Sequence, residues 1–300
     1  MGHGLPYEEH AMSGSFPTIA TGNVSTVQFL SPFRYPGGKT WLVPLIRQWI
    51  EHVPQKPVAF IEPFAGGAII GLTVAFTGLA KHVTLVEIDE NVGAVWEAII
   101  NKGLGPKLAG LIRSFAPTGE SVEALLAQQD LELCELAFQT IVRNRVSRGG
   151  ILVEGAGLLK NGENGRGLAS RWYPRTIAKR IERIHSIRHR MSFVWGDGMQ
   201  VVETNCSRRD AFFFVDPPYT AGGGKQAGRR LYRHSELDHE RLFRLMEDVR
   251  GDFLMTYEDH RDVQEMALGH GFAVRRVAMK STHHARMTEL LIGRDLGWIG

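Results

Sequence analysis

The stretch "FFFVDPPYT", Phe212 to Thr220, decides how the rest of the chain is read. Phe212 to Val215 are apolar without a break, as in a short strand covered on both faces. Asp216, Pro217, Pro218 and Tyr219 follow at once. Two successive prolines can continue neither a sheet ladder nor a helix, so the backbone just past the strand is rigid and extended. In open α/β sheets, ligands sit beyond that carboxyl edge. A carboxylate, a proline carbonyl free to accept and an aromatic face are therefore presented at one point.

Outward from this strand the chain alternates β-rich runs with helical segments. Before it come "VAFIE" (58–62), a helix near 67–78, "VTLVE" (83–87), a helix near 90–100 and "SFVWG" (192–196). "AFFFV" (211–215) and "DFLMTY" (252–257) continue the series. This alternation predicts an α/β fold with a mostly parallel sheet and crossover helices. "FAVRRVAM" and "MTELLIG" leave no room for a helix between them and predict a terminal antiparallel hairpin. Trp41, Leu42, Leu45, Ile46, Trp49 and Ile50 recur at helical spacing until Pro54 stops the pattern. Residues 104–190 break the rhythm and read as a small helical insertion with a glycine-rich gap. The expected organisation is a mobile tail over 1–30, a catalytic domain built from 31–103 and 191–300, and the insertion between its halves.

At 300 residues, 43% hydrophobic and 22% charged, the chain has the composition of an ordered globular protein. No apolar run approaches the ~20 residues needed to span a bilayer, and the start lacks the pattern of a secretory signal. The expectation is a cytoplasmic protein with no membrane partner. Its two cysteines, Cys134 and Cys206, are isolated and fit neither zinc nor disulfide spacing. The adjacent His283 and His284 diverge and have no third ligand in sequence, so no metal site is expected. A net charge of +3 is too mild to fix a partner, but basic residues cluster locally. The run from Lys179 to Arg190 reads as a solvated helix face, whereas the loop clusters are candidates for phosphate contacts.

Three further segments carry chemistry. In "FIEPFAGGAIIGL" (60–72) a strand enters a glycine turn and then a helix, so backbone can approach a ligand and the helix N-terminus favours a carboxylate. Gly66 and Gly71 are in place for a dinucleotide fingerprint, but Ala68 stands where its second glycine belongs. Glu87 closes the second strand about twenty residues on, where an acidic side chain can accept from ribose hydroxyls. Asp89 is placed to cap the next helix. "RYPGGK" (34–39) fails as a P-loop, since Phe33 occupies the first glycine position and no strand precedes it. Its glycines allow a tight turn presenting Tyr35 and Lys39.

Asp-Pro-Pro-Tyr resembles the catalytic tetrad of amino-methyltransferases, and "RYPGGK" resembles the N-terminal signature of Dam-type adenine-specific DNA methyltransferases. The resemblance runs from about residue 31 to 293 and departs at Ala68. It implies a Rossmann-like fold and S-adenosylmethionine as cofactor, held by Tyr35, Lys39, Glu62, Phe64, Gly66, Glu87, Asp197 and Asp216. Asp197 has a second reading as a helix cap. Asp216, Pro217 and Tyr219 are the expected catalytic group: two acceptors for the adenine amino hydrogens and a stacking surface. Double-stranded DNA is the expected partner, met by Asn144, Arg145 and Arg148 in "NRVSRGG" and by Arg229 and Arg230 in a basic lid. The insertion takes the place of a target-recognition region. The resemblance also implies a monomer and admits a cognate restriction endonuclease. Competing readings are methylation of a cytosine amino group or of RNA, an inactive DNA-binding regulator on the same fold, and a nicotinamide oxidoreductase.

Overall fold

The computed structural model describes residues 18–20, 27–34, 38–152, 156–160, 162, 165–218, 237–280 and 286–299. Its centre is an eight-stranded sheet: β1 (Thr18–Ala20), β2 (Ala59–Glu62), β3 (His82–Glu87), β4 (Met191–Trp195), β5 (Ala211–Val215), β6 (Asp252–Glu258), β7 (Ala273–Lys280) and β8 (Arg286–Gly293). The order across the sheet is β1-β7-β8-β6-β5-β2-β3-β4. Strands β2 to β6 pair in parallel, and β8 runs antiparallel to both β6 and β7. This is the Rossmann-like arrangement expected, terminal hairpin included. Part of the expected tail departs from expectation, because Thr18–Ala20 pairs in parallel with β7 and lengthens the sheet.

Strand order reverses between β2 and β5: the chain runs outward through β3 and β4, then crosses back to β5 and β6. A crevice opens at such a switch point beyond the strand carboxyl ends. Glu62, Glu87 and Asp216 all stand at those ends.

Alternation along the strands divides the core into two layers. Phe60, Phe212, Phe214 and Leu254 face α1 (Val43–His52), α2 (Ile69–Thr77) and α3 (Glu90–Trp96). Ala59, Ile61, Phe213, Val215, Phe253 and Met255 face the helices on the other side. The helical stretch 104–190 shares the first layer. Helices α4 (Gly105–Ser114), α5 (Gly119–Leu126), α6 (Leu133–Val146) and α7 (Pro174–Ser186) place Leu108, Val122, Ile141 and Ile181 in the same apolar cluster as α3.

The turn from β2 into α2 positions the crevice wall. Gly66 has φ 46° and Ala68 has φ 52°, both in the left-handed region. The Trp96 indole donates to the Gly66 carbonyl at 2.9 Å, and Gly66 N–H donates to Glu87 at 2.8 Å, so the turn is fixed from two sides. Gly71 admits no side chain: a Cβ there would lie 2.5 Å from Glu62 Oε2 and from Leu85 Cδ2. The departure at Ala68 thus falls on a position that glycine suits better than alanine.

Left-handed geometry costs an L-residue roughly 1–2 kcal/mol, and glycine's greater unfolded-state freedom takes back ~0.4–1 kcal/mol. Ala68→Gly is therefore expected to leave stability unchanged or raise it by up to about 1.6 kcal/mol, and Ala68→Val to lower it, in urea unfolding. A glycine variant clearly less stable than the parent would remove the case for strain at this turn.

Candidate active site

A cavity of about 860 Å³ lies at the switch point, lined by Lys39, Glu62, Phe64, Gly66, Glu87, Asp197, Asp216 and Pro218 among others. Six sequence-derived cofactor residues and the tetrad aspartate therefore meet in one place. Tyr35, Tyr219, Arg229 and Arg230 lie outside the described residues, as do His283 and His284. Pro217 is buried beside Asp216.

The centre of the site is an ion cluster. Lys39 Nζ stands 3.1 Å from Asp216 Oδ1 and 3.4 Å from Glu289 Oε2. Lys39 is 3% exposed and Glu289 6%. Burial opposes the lysine charge, but the two carboxylates outweigh it and hold the ammonium above its ordinary range. Thr256, on β6, donates its hydroxyl to Asp216 Oδ1 at 2.7 Å. Asp216 is thereby oriented from both sides while its side chain remains about one quarter exposed to the cavity, at 23%.

Other carboxylates ring the crevice, Glu62, Glu87 and Asp197 among them. Glu62 is buried and accepts from Gly71 N–H at 2.8 Å. Burial raises it well above the usual carboxylate range against that hydrogen bond, with Asp216 and Glu87 adding repulsion. Glu87 accepts from Gly66, Ile88 and Asp89 N–H groups at 2.8–2.9 Å. Burial nevertheless pushes it up to about 7. Asp197 accepts from Met199 N–H at the start of α8 (Gly198–Asn205), the helix-cap reading, and also lines the cavity. Asp89 caps α3 through Asn91 and Val92, as its position in sequence implied.

The structure relocates part of the expected DNA face. Asn144 is fully buried; its amide accepts from Arg34 N–H at 2.8 Å and donates to the Arg34 and Gly150 carbonyls. It joins α6 to the segment before Lys39 and is closed off from a base, contrary to expectation. Arg145 is 5% exposed and donates to the Pro32 carbonyl, yet it lines the cavity. Arg148 is exposed, as a phosphate contact requires. Arg180 corrects the reading of Lys179–Arg190 as a solvated face, for it is half-buried, bonds the Ser31 carbonyl at 3.0 Å and lines the cavity. Sequence reading also missed Thr256 and Glu289. "TELLIG" gave a strand pattern but no sign that its glutamate turns inward.

The chemistry of this donor set fits a cofactor that is part nucleoside and part cationic amino acid. Glu87 ends β3 with acceptor capacity at the cavity wall, the Gly66–Ala68 turn brings bare backbone to it, and Glu62 and Asp216 add carboxyl groups that a cationic cofactor would help to keep ionised. Residues 35–130 match the family model of the D12 class N6 adenine-specific DNA methyltransferases. That span includes the glycine turn and Glu87. No curated protein matches the sequence. Similar solved structures include the rRNA methyltransferase AviRa of Streptomyces viridochromogenes, 10% identical over 87% of this chain and 87% of that one, with a TM-score of 0.39. The precorrin-6y C5,15-methyltransferase of Geobacter metallireducens is 8% identical over 93% and 91%, with a TM-score of 0.35. The m1A22 tRNA methyltransferase TrmK of B. subtilis is 10% identical over 83% of this chain and 64% of that one, with a TM-score of 0.32. S-adenosylmethionine is the cofactor.

Glu87 titrates near neutrality, and its ionised form is the better acceptor for ribose hydroxyls and the better neighbour for a cationic cofactor. Affinity for S-adenosylmethionine is expected to rise with pH through about 7, approaching tenfold per unit below it if only the ionised form binds. Calorimetric titration at pH 6 and 8 measures this. Glu87→Gln is expected to bind weakly and to lose the slope; a slope kept by that variant would assign the titration elsewhere.

Proposed function

We propose that this protein transfers the methyl group of S-adenosylmethionine to the exocyclic 6-amino group of adenine in double-stranded DNA. The observation that carries the reading is Asp216, held by Lys39 and Thr256 in the switch-point cavity and followed by two prolines. The match of residues 35–130 to an adenine-specific family supports the same substrate.

An adenine amino nitrogen is a weak nucleophile because its lone pair is delocalised into the ring. In this reading, Asp216 and the Pro217 carbonyl accept its two hydrogens, drawing the nitrogen toward tetrahedral geometry as its lone pair is freed. The bound cofactor supplies an activated methyl group on a sulfonium sulfur. Transfer of that methyl group would leave the amino nitrogen with one proton to lose, which Asp216 or solvent would accept. Lys39 and Thr256 hold the aspartate where the nitrogen must arrive, so positioning is done before the reaction. No covalent link to the protein is required.

A base paired within a duplex cannot reach a carboxylate inside such a cavity, so the adenine has to leave the stack. Tyr219 is proposed as its stacking surface and Arg229 and Arg230 as part of a basic lid. Such an enzyme would act as a monomer, with a cognate endonuclease as its biological companion.

The test is mass spectrometry of nucleosides from DNA methylated by the purified protein. N6-methyladenine is the expected product; methylcytosine, or methylation of RNA only, would sink the reading. Asp216→Ala should lower single-turnover methylation by at least ~10²-fold, the scale of a lost transition-state hydrogen bond. Retained cofactor binding by that variant separates lost chemistry from lost folding.

A further inference from the structure

Glu289 is a buried carboxylate that the reaction above does not use. Because β8 runs antiparallel to β6, the start of β8 lies at the carboxyl edge of the parallel strands, where Asp216 also stands. Alternation puts Glu289 on the same face as Leu291, and it lies directly across from Val277 on β7; both of these are fully buried in the apolar layer. Its other cross-strand neighbour is Glu258, a second acid. A carboxylate in that setting is costly unless a cation meets it. Lys39 does so: its Nζ stands 3.4 Å from Oε1 and 3.4 Å from Oε2, so the ammonium straddles the carboxylate.

Burial of the lysine does not account for this arrangement. One ammonium needs one carboxylate, and Asp216 is nearer, at 3.1 Å. A second carboxylate sets two formal negative charges against one positive, with a desolvation penalty that a neutral side chain of the same shape would avoid. Lys39 responds to both. Burial lowers it, and Asp216 first, then Glu289, raise it.

The second carboxylate has a use in the chemistry. Asp216 must accept hydrogen from a weakly nucleophilic amino group, and an ammonium at 3.1 Å competes for the same lone pairs. A lysine bound to Asp216 alone would hold it but weaken it as an acceptor. Glu289 draws the ammonium from the other side.

We propose that Glu289 is a positioning residue for methyl transfer, sharing the Lys39 ammonium with Asp216 so that the aspartate is held in place and stays a strong acceptor. Lys39 and Asp216 line the cavity and Glu289 does not, so it acts through the lysine. This rests on the reading of Asp216 as the acceptor and deepens it by naming what preserves that acceptor's strength.

Glu289→Gln keeps the shape of the side chain and an oxygen for Lys39 to bond, and removes the charge. Single-turnover methyl transfer at saturating nucleic acid and cofactor is expected to slow by about tenfold, part of the ~10²–10⁴ that a positioned proton acceptor supplies. The half-saturating nucleic-acid concentration should stay at the wild-type value, and the midpoint of urea unfolding should hold or rise, because two buried ions remain in place of three. Glu289→Asp keeps the charge and should be faster than Glu289→Gln. A lower unfolding midpoint in Glu289→Gln, or no folded protein, assigns Glu289 to the fold and overturns the proposal. An unchanged rate overturns it too, with or without weaker substrate binding, and so does a Glu289→Asp rate no better than that of Glu289→Gln. Nucleosides from the same reactions report the base methylated. A product other than N6-methyladenine defeats the adenine-in-DNA reading and leaves the Glu289 comparison standing, whereas N6-methyladenine formed at the wild-type rate by Glu289→Gln defeats only the role of Glu289.

Discussion

Lys39 is the point through which the rest of the site is connected. Its ammonium meets Asp216 from the end of β5 and Glu289 from β8, groups separated from it by most of the chain. A buried pair of this kind contributes little net stability, because desolvation offsets the attraction, but removing one member costs about 3–5 kcal/mol since a charge is then stranded. The cluster is therefore tolerant of nothing at its centre. It fixes Lys39 against the strand edge, and upstream of it Ser31, Pro32 and Arg34 carry the backbone groups that Arg180, Arg145 and Asn144 hold. The ends of β5 and β8 are thus tied to each other through a single ammonium.

Around this cluster the strand ends gather more acid than the cavity can keep ionised at low cost. Glu62 and Glu87 are both raised by burial, and Glu62 further by Asp216 and Glu87. Such crowding is destabilising in the empty protein. It becomes favourable when a cation enters, because each carboxylate then gains an opposite charge where it had a like one. In the proposed reading the cofactor is a cation, so stability given up at the strand ends would be returned on binding.

Much of this was legible in the chain. Phe212 to Val215 followed by Asp-Pro-Pro placed a carboxylate beyond a buried strand, and two strands ending in Glu62 and Glu87 placed two more beside it. These are local patterns in which strand, turn and functional residue are contiguous, so periodicity alone locates them. Ala68 was visible as a departure, but only its positive φ explains why the position asks for glycine. Thr256 and Glu289 were invisible because their partners lie on other strands, and nothing in "FLMTYE" or "TELLIG" records which face meets a lysine far upstream.

The arginines show the same limit more sharply. In α7, Ile177, Ala178, Ile181 and Ile184 mark the buried stripe, and Arg180 and Arg183 flank it. Periodicity assigns such residues to the polar side of a helix and stops there. It cannot distinguish a polar side facing water from one facing a cavity. Here the two residues part company: Arg183 is spent on the Gln28 side chain and the Phe76 ring, whereas Arg180 turns to Ser31 and the interior space. Asn144 and Arg145 invert the error, since adjacent residues in a segment expected to face DNA are both enclosed. One has its amide committed to main chain, and the other keeps a donor in reserve. What separates them is not hydrophilicity but whether the surrounding fold supplies an acceptor, and for Arg145 Nε it supplies none.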